Sequence, residues 1–173
     1  MARSYNDSMS PADLVLFEED FRRLQQVLRR LRQETDATIV LLVDKNGQRI
    51  ASVGDVDALD MTALASLTAG NVAATDGLAR ILGEREFSVL LHEGEKENIH
   101  LSIVGGKVIL VVIFADRAAL GLVRLRVRQA TSELAEAFAE IWERMHREPV
   151  LHSVIEPLLA EITDEDIDRL FSE

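Results

Sequence analysis

The sequence contains no cysteine among its 173 residues. Disulfide bonds, cysteine nucleophiles and thiolate metal ligands are therefore excluded, which is compatible with a reducing compartment. No stretch reaches 18 uninterrupted apolar residues, and the start MARSYNDSMSPADLVLF lacks the apolar segment of a signal peptide. We therefore expect a soluble cytoplasmic protein without membrane insertion.

Basic charge is also scarce. The 19 lysines and arginines are outweighed by 30 aspartates and glutamates, which gives a net charge of −11. Because phosphate backbones bind basic surfaces, we expect no nucleic-acid partner. More than half of the excess lies in residues 149–173, which hold seven acidic residues and one arginine. This segment is interpreted as a separate functional unit.

Motifs for chemistry are missing as well. There is no HExxH or GxSxG pattern, and His92-Glu93 is interpreted as part of a loop. The tetrapeptide VGGK at 104–107 is not a phosphate loop, because Leu101 stands where the first glycine is needed and Val108 where Ser or Thr is needed. We expect no cofactor, no metal and no active site of the protein's own.

Helix signals open the chain. Ser10-Pro11-Ala12-Asp13 supplies an N-cap, a proline at the first helical position and an acidic residue, which predicts a helix from there to about Glu34. Its apolar stripe is Leu14, Phe17, Phe21, Leu24, Leu28 and Leu31. The arginines of its outer face are interpreted as solvated or as a docking surface for an acidic partner: Arg22, Arg23, Arg29, Arg30 and Arg32.

Strand signals follow. Asn46-Gly47 predicts a hairpin with strands at about 37–43 and 48–53. EFSVLLHEG indicates a short strand, and two further strands are predicted to turn at Gly105-Gly106. The second of these contains VILVVIF, which is apolar at every position and is therefore expected to be covered on both faces.

The stretch from 63 to 83, ALASLTAGNVAATDGLARILG, belongs to a predicted helix at about 60–82 that Gly83 ends. One stripe is expected to face the core: Leu64, Leu67, Asn71, Ala74, Leu78 and Ile81. A second stripe has little bulk: Ser66, Gly70, Ala73 and Gly77. Each interior glycine destabilises the helix by roughly 0.5–1 kcal/mol relative to alanine, so the presence of two glycines in this stripe requires an explanation. Close packing onto the helix's own sheet and close approach of another backbone both stay open.

A long helix is predicted over 118–147, and Pro149 ends it. Its apolar stripe is Leu120, Val123, Val127, Ala130, Leu134, Phe138, Ile141 and Met145. Of its exposed arginines, Arg124, Arg126 and Arg128, none is interpreted as a catalytic finger. The resulting order, α-β-β-α-β-β-β-α, predicts an α+β sandwich in which helices flank a five-stranded antiparallel sheet.

The tail AEITDEDIDRLFSE carries a compact helix signal. Thr163 can cap it, and acidic residues fill its first turn. Ile167, Leu170 and Phe171 have the spacing of a helix that binds in a groove. So short a helix needs a partner, since helices under ~12–15 residues are marginal alone in water. Docking onto its own domain and binding to another protein both stay open.

Together, IVLLVDKNGQRIASVG, LASLTAGNVAATDGLA and LSIVGGKVILVVIFADRAALGLVRLR resemble the Roadblock and dynein-light-chain family, especially its bacterial gliding-motility and polarity members. The resemblance covers about residues 16–131 and returns in the tail. It implies a Roadblock-like domain at 13–147 after an N-terminal extension at 1–12, with a linker at 148–160 and a partner-binding helix at 161–173.

The resemblance further implies a homodimer that binds a small Ras-like GTPase. The third strand would pair with its copy while the second helices lie together, and the GTPase would dock asymmetrically on that helix pair. Such proteins accelerate GTP hydrolysis by moving the GTPase's own arginine and glutamine into place. The implied GTPase contacts are Leu67, Gly70, Ala73, Gly77 and Arg80. The implied dimer contacts are Ser66, Ala69, Phe87, Ser88, Val89, Leu90 and Leu91.

The family's tail helix is thought to assist nucleotide exchange, which implies partner contacts at Ile162, Asp166, Ile167, Leu170 and Phe171. Two other functions remain open. The protein could be an adaptor that binds the GTPase or polar scaffold proteins without activation. A small-molecule sensor is disfavoured, because VILVVIF is apolar throughout and the sequence indicates no convergent polar groups. The resemblance also implies enrichment at a cell pole.

Overall fold

The computed structural model describes residues 16–115 and 118–147. It confirms the predicted element order and the α+β sandwich. The elements are α1 (Glu18–Thr35), β1 (Ala37–Asp44), β2 (Arg49–Gly54), α2 (Met61–Leu82), β3 (Val89–His92), β4 (Glu97–Val104), β5 (Val108–Ala115) and α3 (Leu120–Arg147). A short 3₁₀ turn, Val56–Ala58, precedes α2.

The five strands form one antiparallel sheet in the order β2-β1-β5-β4-β3. β5 lies at the centre, where Val111 is opposite Leu41 on one side and Leu101 on the other. Every residue from 108 to 114 is buried, which confirms that the apolar strand is covered on both faces. β2 and β3 are the two edges of the sheet.

Strand alternation gives the sheet two apolar faces. One face packs against α2 and includes Ile39, Leu41, Leu101, Val111 and Ile113. The opposite face lies under α1 and α3, and the strand residues that it buries include Val40, Leu42, Leu110, Val112 and Phe114. The two helices adjoin each other, since Arg30 pairs with Glu133, and Arg126 lies 3.6 Å from Glu34.

The predicted start of the first helix is wrong by about two turns. Leu16 and Phe17 are not helical, and α1 begins at Glu18. The acidic first turn, Glu18 to Asp20, favours this start because negative charge stabilises a helix N-terminus. The Asp20 carboxylate also accepts a bond from the Phe17 backbone N–H at 3.1 Å. The proposed cap at Ser10 lies outside the described residues.

The predicted core face of α2 is also wrong. The side chains that it buries are Met61, Ala65, Thr68, Ala69, Val72 and Ala79. Of the predicted core stripe, Leu67, Ala74, Leu78 and Ile81 are exposed, and Leu64 and Asn71 are half-buried. Because α2 is apolar on both faces, hydrophobicity alone cannot choose between them. The sheet takes the face with three alanines, which lets the helix approach closely, and the leucines remain outside.

Turn and strand boundaries agree closely with the sequence signals. Gly47, Gly105 and Gly106 have positive φ, as tight turns require, and Gly83 ends α2 in the left-handed conformation. The third strand is shifted, however. It begins at Val89, so Phe87 and Ser88 precede it, although the Ser88 carbonyl already accepts a bond from the Ile103 N–H at 2.9 Å.

The last helix is α3, Leu120–Arg147. Six residues of its predicted stripe are buried, Val123, Val127, Ala130, Leu134, Phe138 and Ile141, whereas Leu120 and Met145 are half-buried. Contacts divide the chain into two compact units, Met1–Phe138 and Ala139–Glu173. No helix among the described residues is long and apolar enough to cross a membrane.

Candidate functional site

The outer face of α2 is apolar and open to solvent. We define it by its exposed small and apolar residues: Ala63, Leu67, Gly70, Ala74, Leu78 and Ile81. Leu67 is 74% exposed and Ile81 81%. A helix that is apolar all round is normally buried on every side, yet nothing in the described part of the chain covers this face. It is therefore a candidate binding surface for another chain.

Gly70 and Gly77 pack against nothing in the described part of the chain. A Cβ added at either residue would meet no atom within 4 Å. The interpretation that the small stripe packs closely onto the helix's own sheet is therefore wrong for these two residues. No contact within residues 16–115 and 118–147 offsets their cost to the helix, roughly 0.5–1 kcal/mol each. Close approach of a backbone from outside these residues remains as the explanation.

The face has two flanks with different neighbours. On one flank, Ser66 lies against the β1–β2 hairpin, because a Cβ at Gly47 would stand 3.0 Å from the Ser66 Cα. On the other flank, Asn71 lies beside the β3 edge, since its Nδ2 is 3.2 Å from His92 Nε2. Helical spacing places Ala73, Gly77 and Arg80 on the hairpin flank and Leu67 and Leu78 toward the β3 flank.

The residues predicted to contact a GTPase all lie on α2 outside its buried set. Leu67, Gly70, Ala73 and Arg80 are exposed, and Gly77 is half-buried. The Arg80 side chain bends back to donate to the Asp76 carbonyl at 3.3 Å. Leu78 and Ile81 were missed as surface residues because they had been assigned to the core. The signal for them was that α2 carries apolar residues on both faces.

The residues predicted to form a dimer interface are separated by the structure. Ala69 is 7% exposed and packs in the core between α2 and the sheet, so its side chain is not available to a second chain. Ser66, Ser88 and Val89 are exposed, whereas Phe87, Leu90 and Leu91 are half-buried, with Leu90 packed against the core.

The outer edge of β3 can accept another strand. The Ser88 carbonyl accepts a backbone bond from the Ile103 N–H, so alternation in the antiparallel ladder directs the N–H and C=O of Val89 and Leu91 away from β4. No strand in the described part of the chain pairs with this edge. β3 has no proline and no charged residue apart from the terminal His92, so it lacks the usual protection of a free edge.

The tail residues Ile162, Asp166, Ile167, Leu170 and Phe171 lie outside the described residues, so their predicted role stays a prediction. Within residues 16–115 and 118–147, no group of histidine, aspartate or glutamate side chains could hold a metal ion. The site with the clearest geometry is therefore a surface for protein contacts, made by α2 and the adjoining edge strand.

The comparisons with known proteins agree with the fold. The Roadblock/LC7 domain model matches residues 23–114, from α1 to the end of β5. The chain belongs to the Roadblock/LC7 family. No curated protein sequence matches it at a significant level.

Among solved structures, MglB of Myxococcus xanthus is similar with 51% sequence identity and a TM-score of 0.71, covering 74% of this chain and 96% of that one. The gliding protein MglB of Thermus thermophilus is 35% identical, with a TM-score of 0.69 and coverage of 74% and 97%. An MglB structure with a tetrameric arrangement is 34% identical, with a TM-score of 0.70 and coverage of 75% and 97%.

Proposed function

We propose that this protein is an MglB-like activator of a Ras-like, MglA-like GTPase and acts as a homodimer. The observation that carries the proposal is the outer face of α2, where large apolar side chains and two uncovered glycines face solvent. Similarity to MglB structures at 34–51% identity over three quarters of the chain supports the choice of partner.

The dimer is assigned to the β3 edge and the neighbouring flank of α2. Pairing of β3 with its copy would satisfy the outward backbone groups of Val89 and Leu91 and extend the sheet across both subunits. The same arrangement would bring the β3 flanks of the two α2 helices together. Burial of Leu78 would then remove apolar surface from water at about 25 cal/mol per Å².

The GTPase is assigned to the hairpin flank and the centre of the outer face, through Leu67, Gly70, Ala73, Gly77 and Arg80. The lack of bulk at Gly70, Ala73 and Gly77 allows a partner backbone to lie directly on the helix. A contact of this kind can move residues of the GTPase without contributing a side chain to its active site. The protein thus acts as a regulator, and the partner's own arginine and glutamine carry out catalysis.

Arginine substitutions, which add bulk and charge, test the assignment of the GTPase surface on α2. Ala73→Arg with Gly77→Arg places two long cations on the small flank, at sites where neither side chain is part of the buried core. The double variant should fold and no longer bind the GTPase in a pull-down. Undiminished binding would contradict the assignment.

The tail is proposed to work as a second, tethered contact. In this proposal residues 1–12 are an extension, 13–147 the Roadblock-like domain, 148–160 a linker and 161–173 the helix that reaches the GTPase. A tether can raise the local concentration of such a helix to the millimolar range. Deletion of 149–173 should weaken stimulation of nucleotide exchange and leave the dimer intact. An unchanged exchange rate would contradict the tail's role.

The second candidate is an adaptor of the same fold. An apolar helix face supports tight binding without any effect on turnover, so the outer face of α2 fits a scaffold for the GTPase or for polar proteins as well. In either role we propose action in the cytoplasm, with enrichment at a cell pole, in cell polarity and motility.

Single-turnover GTP hydrolysis separates the two candidates. The GTPase is loaded with GTP and mixed with an excess of this protein, and binding is measured in parallel. A rate increase of about tenfold or more, equivalent to about 1.4 kcal/mol of barrier, supports the activator. Binding without acceleration supports the adaptor, and absence of binding overturns both.

A further inference from the structure

A groove lined by both polar and apolar residues lies on the opposite side of the sheet from α2. It has a volume of about 480 Å³ and runs between the end of the sheet at β3 and β4 and the first turns of α3. Its lining includes Ser88, His100, Ser102, Arg124 and Arg128. The volume is in the range of small-molecule sites, ~300–1,000 Å³.

The floor of the groove interrupts an apolar face. His100 is paired with Val112 and Ser102 with Leu110 in the ladder, so these two polar residues continue a row of buried apolar side chains. Each is only 3% exposed. The buried side chains of Asp44 and Asn98 accept bonds from turn backbones, whereas those of His100 and Ser102 bond to each other, Oγ to Nδ1 at 3.3 Å. A buried polar pair without a turn to stabilise needs another reason, and the groove above it provides one.

The wall of the groove is cationic. Arg124 and Arg128 line it from α3, and no carboxylate is part of the lining. Within the described part of the chain neither guanidinium has an ion-pair partner. On the other side of the same helix, Arg126 lies 3.6 Å from the Glu34 carboxylate of α1. α3 therefore neutralises its α1-facing arginine and leaves the two groove-facing arginines available.

We propose that this groove binds a small phosphate-bearing ligand. Guanidinium groups match phosphate oxygens in geometry and charge, and two of them one helical turn apart can hold one phosphate from the same side. The sequence indicated no convergent polar groups; the fold brings them together from β4 and α3.

The pKa of His100 should change when a phosphate occupies the groove. Burial, and secondly the charge of Arg124, lower the pKa of its imidazole. The charged groups in the lining are Arg124 and Arg128 of α3, whereas Val89 of β3 and the preceding Ser88 are uncharged. A bound phosphate would neutralise the guanidinium charge and therefore raise the pKa of His100. This shift is specific to an anion in the groove, because phosphate bound at a distant site is screened over about 10 Å.

The test is an NMR titration of the full-length protein with inorganic phosphate, at constant ionic strength held with chloride. We expect saturable shifts of the His100 ring signals and an upward shift of its pKa. Arg124→Gln with Arg128→Gln should weaken binding by at least about tenfold. Arg126→Gln, which removes a cation from the α1 side of the same helix, is the matched control and should bind as the wild type does.

A parallel titration with glycerol phosphate distinguishes the source of the phosphate. Tighter binding than inorganic phosphate assigns the site to a phosphomonoester, and equal or weaker binding assigns it to the free ion. The absence of saturable shifts with both probes overturns the proposal. Equal weakening by Arg126→Gln and by the double variant also overturns it, since binding would then follow net charge rather than the groove. None of these outcomes depends on the GTPase.

Discussion

The two faces of the sheet are covered in different ways. Over one face, α1 and α3 lie side by side and bury most of their apolar stripes. Their solvent side carries charges, where Arg30 pairs with Glu133, together with the exposed Leu122 and Leu125. Over the other face lies a single helix, α2, which packs with alanines and leaves Leu67 and Ile81 in solvent. α1 and α3 cover the first face within the described part of the chain. We propose that another chain covers the outer face of α2.

The two helices differ in how charged residues are distributed on their surfaces. On α1, arginines fill the solvent side, so its apolar stripe can face only the sheet. On α2, Asp76 and Arg80 are the only charged residues among 22. Asp76 is drawn toward the β1–β2 hairpin by Lys45 at 3.5 Å. The scarcity of charge leaves both faces of α2 suited to burial, one against the sheet and one against a partner.

The largest effect is expected from truncation under α1. Leu28 is fully buried, and Leu28→Ala should lower the free energy of unfolding by about 2–5 kcal/mol through lost burial and a cavity. Ile81→Ala on the outer face of α2 is the counterpart and should change it by no more than about 0.5 kcal/mol. Urea unfolding of both variants measures the contrast. A large loss at Ile81 in dilute protein would mean that α2 is covered within its own chain.

A proline at the open edge should separate the copies. The N–H of Val89 points away from β4, so Val89→Pro removes no bond within the chain but blocks a bond to a second β3. We expect the dissociation constant of the dimer to rise by at least about tenfold. One or more hydrogen bonds of about 1 kcal/mol each are lost, and the proline ring adds a steric clash. Sedimentation velocity measures the change. Ser52→Pro on the β2 edge is the control and should leave the dimer unchanged; a dimer that resists Val89→Pro uses another surface.

Replacing a glycine of α2 should have a smaller effect on the free energy of unfolding, and the change should be stabilising. In the Val89→Pro background, where a second copy is not expected to cover the helix, Gly77→Ala should raise the free energy of unfolding by about 0.5–1 kcal/mol. The added methyl group meets open space, so only the helix gain remains. The same change should weaken binding of the GTPase. Destabilisation of this monomeric form would show that Gly77 serves the fold.

The smallest effect is expected at His100 on the opposite face. Its pKa lies below the ordinary value of 6.5, so the unfolded chain binds more protons than the folded one around and below that pH. The free energy of unfolding should therefore decrease as the pH falls from about 7.5 to about 5.5. His100→Gln should reduce this slope in urea titrations at several pH values. An identical slope would mean that other groups account for it.

Much of the fold could be predicted from local signals. Asn46-Gly47 and Gly105-Gly106 mark their turns, Gly83 marks the end of α2, and α3 buries most of its predicted stripe. The start of α1 was misassigned because two acceptable starts follow each other, the cap at Ser10 and the acidic turn at Glu18. The orientation of α2 could not be predicted, since its faces differ in size and not in polarity.

The candidate sites depend on information that the sequence does not hold. Helical spacing singled out Gly70, and a family resemblance predicted Leu67 and Gly70 as GTPase contacts. The exposure of Ile81 follows only from which face of α2 packs on the sheet. The groove at His100 joins residues that are far apart in the chain, from Ser88 to Arg128. Only the strand order, with β3 at the edge beside β4, brings them together.

The central claim is that the outer face of α2 is the surface for the GTPase. The most direct test is a calorimetric titration of the GTPase, loaded with a non-hydrolysable GTP analogue, with wild-type protein, with Ala73→Arg/Gly77→Arg and with Leu122→Arg/Leu125→Arg. The last variant places the same two cations at exposed leucines of α3. The account predicts loss of binding for the α2 variant and wild-type affinity for the α3 variant. Retained binding in the α2 variant, or equal loss in both, would contradict it.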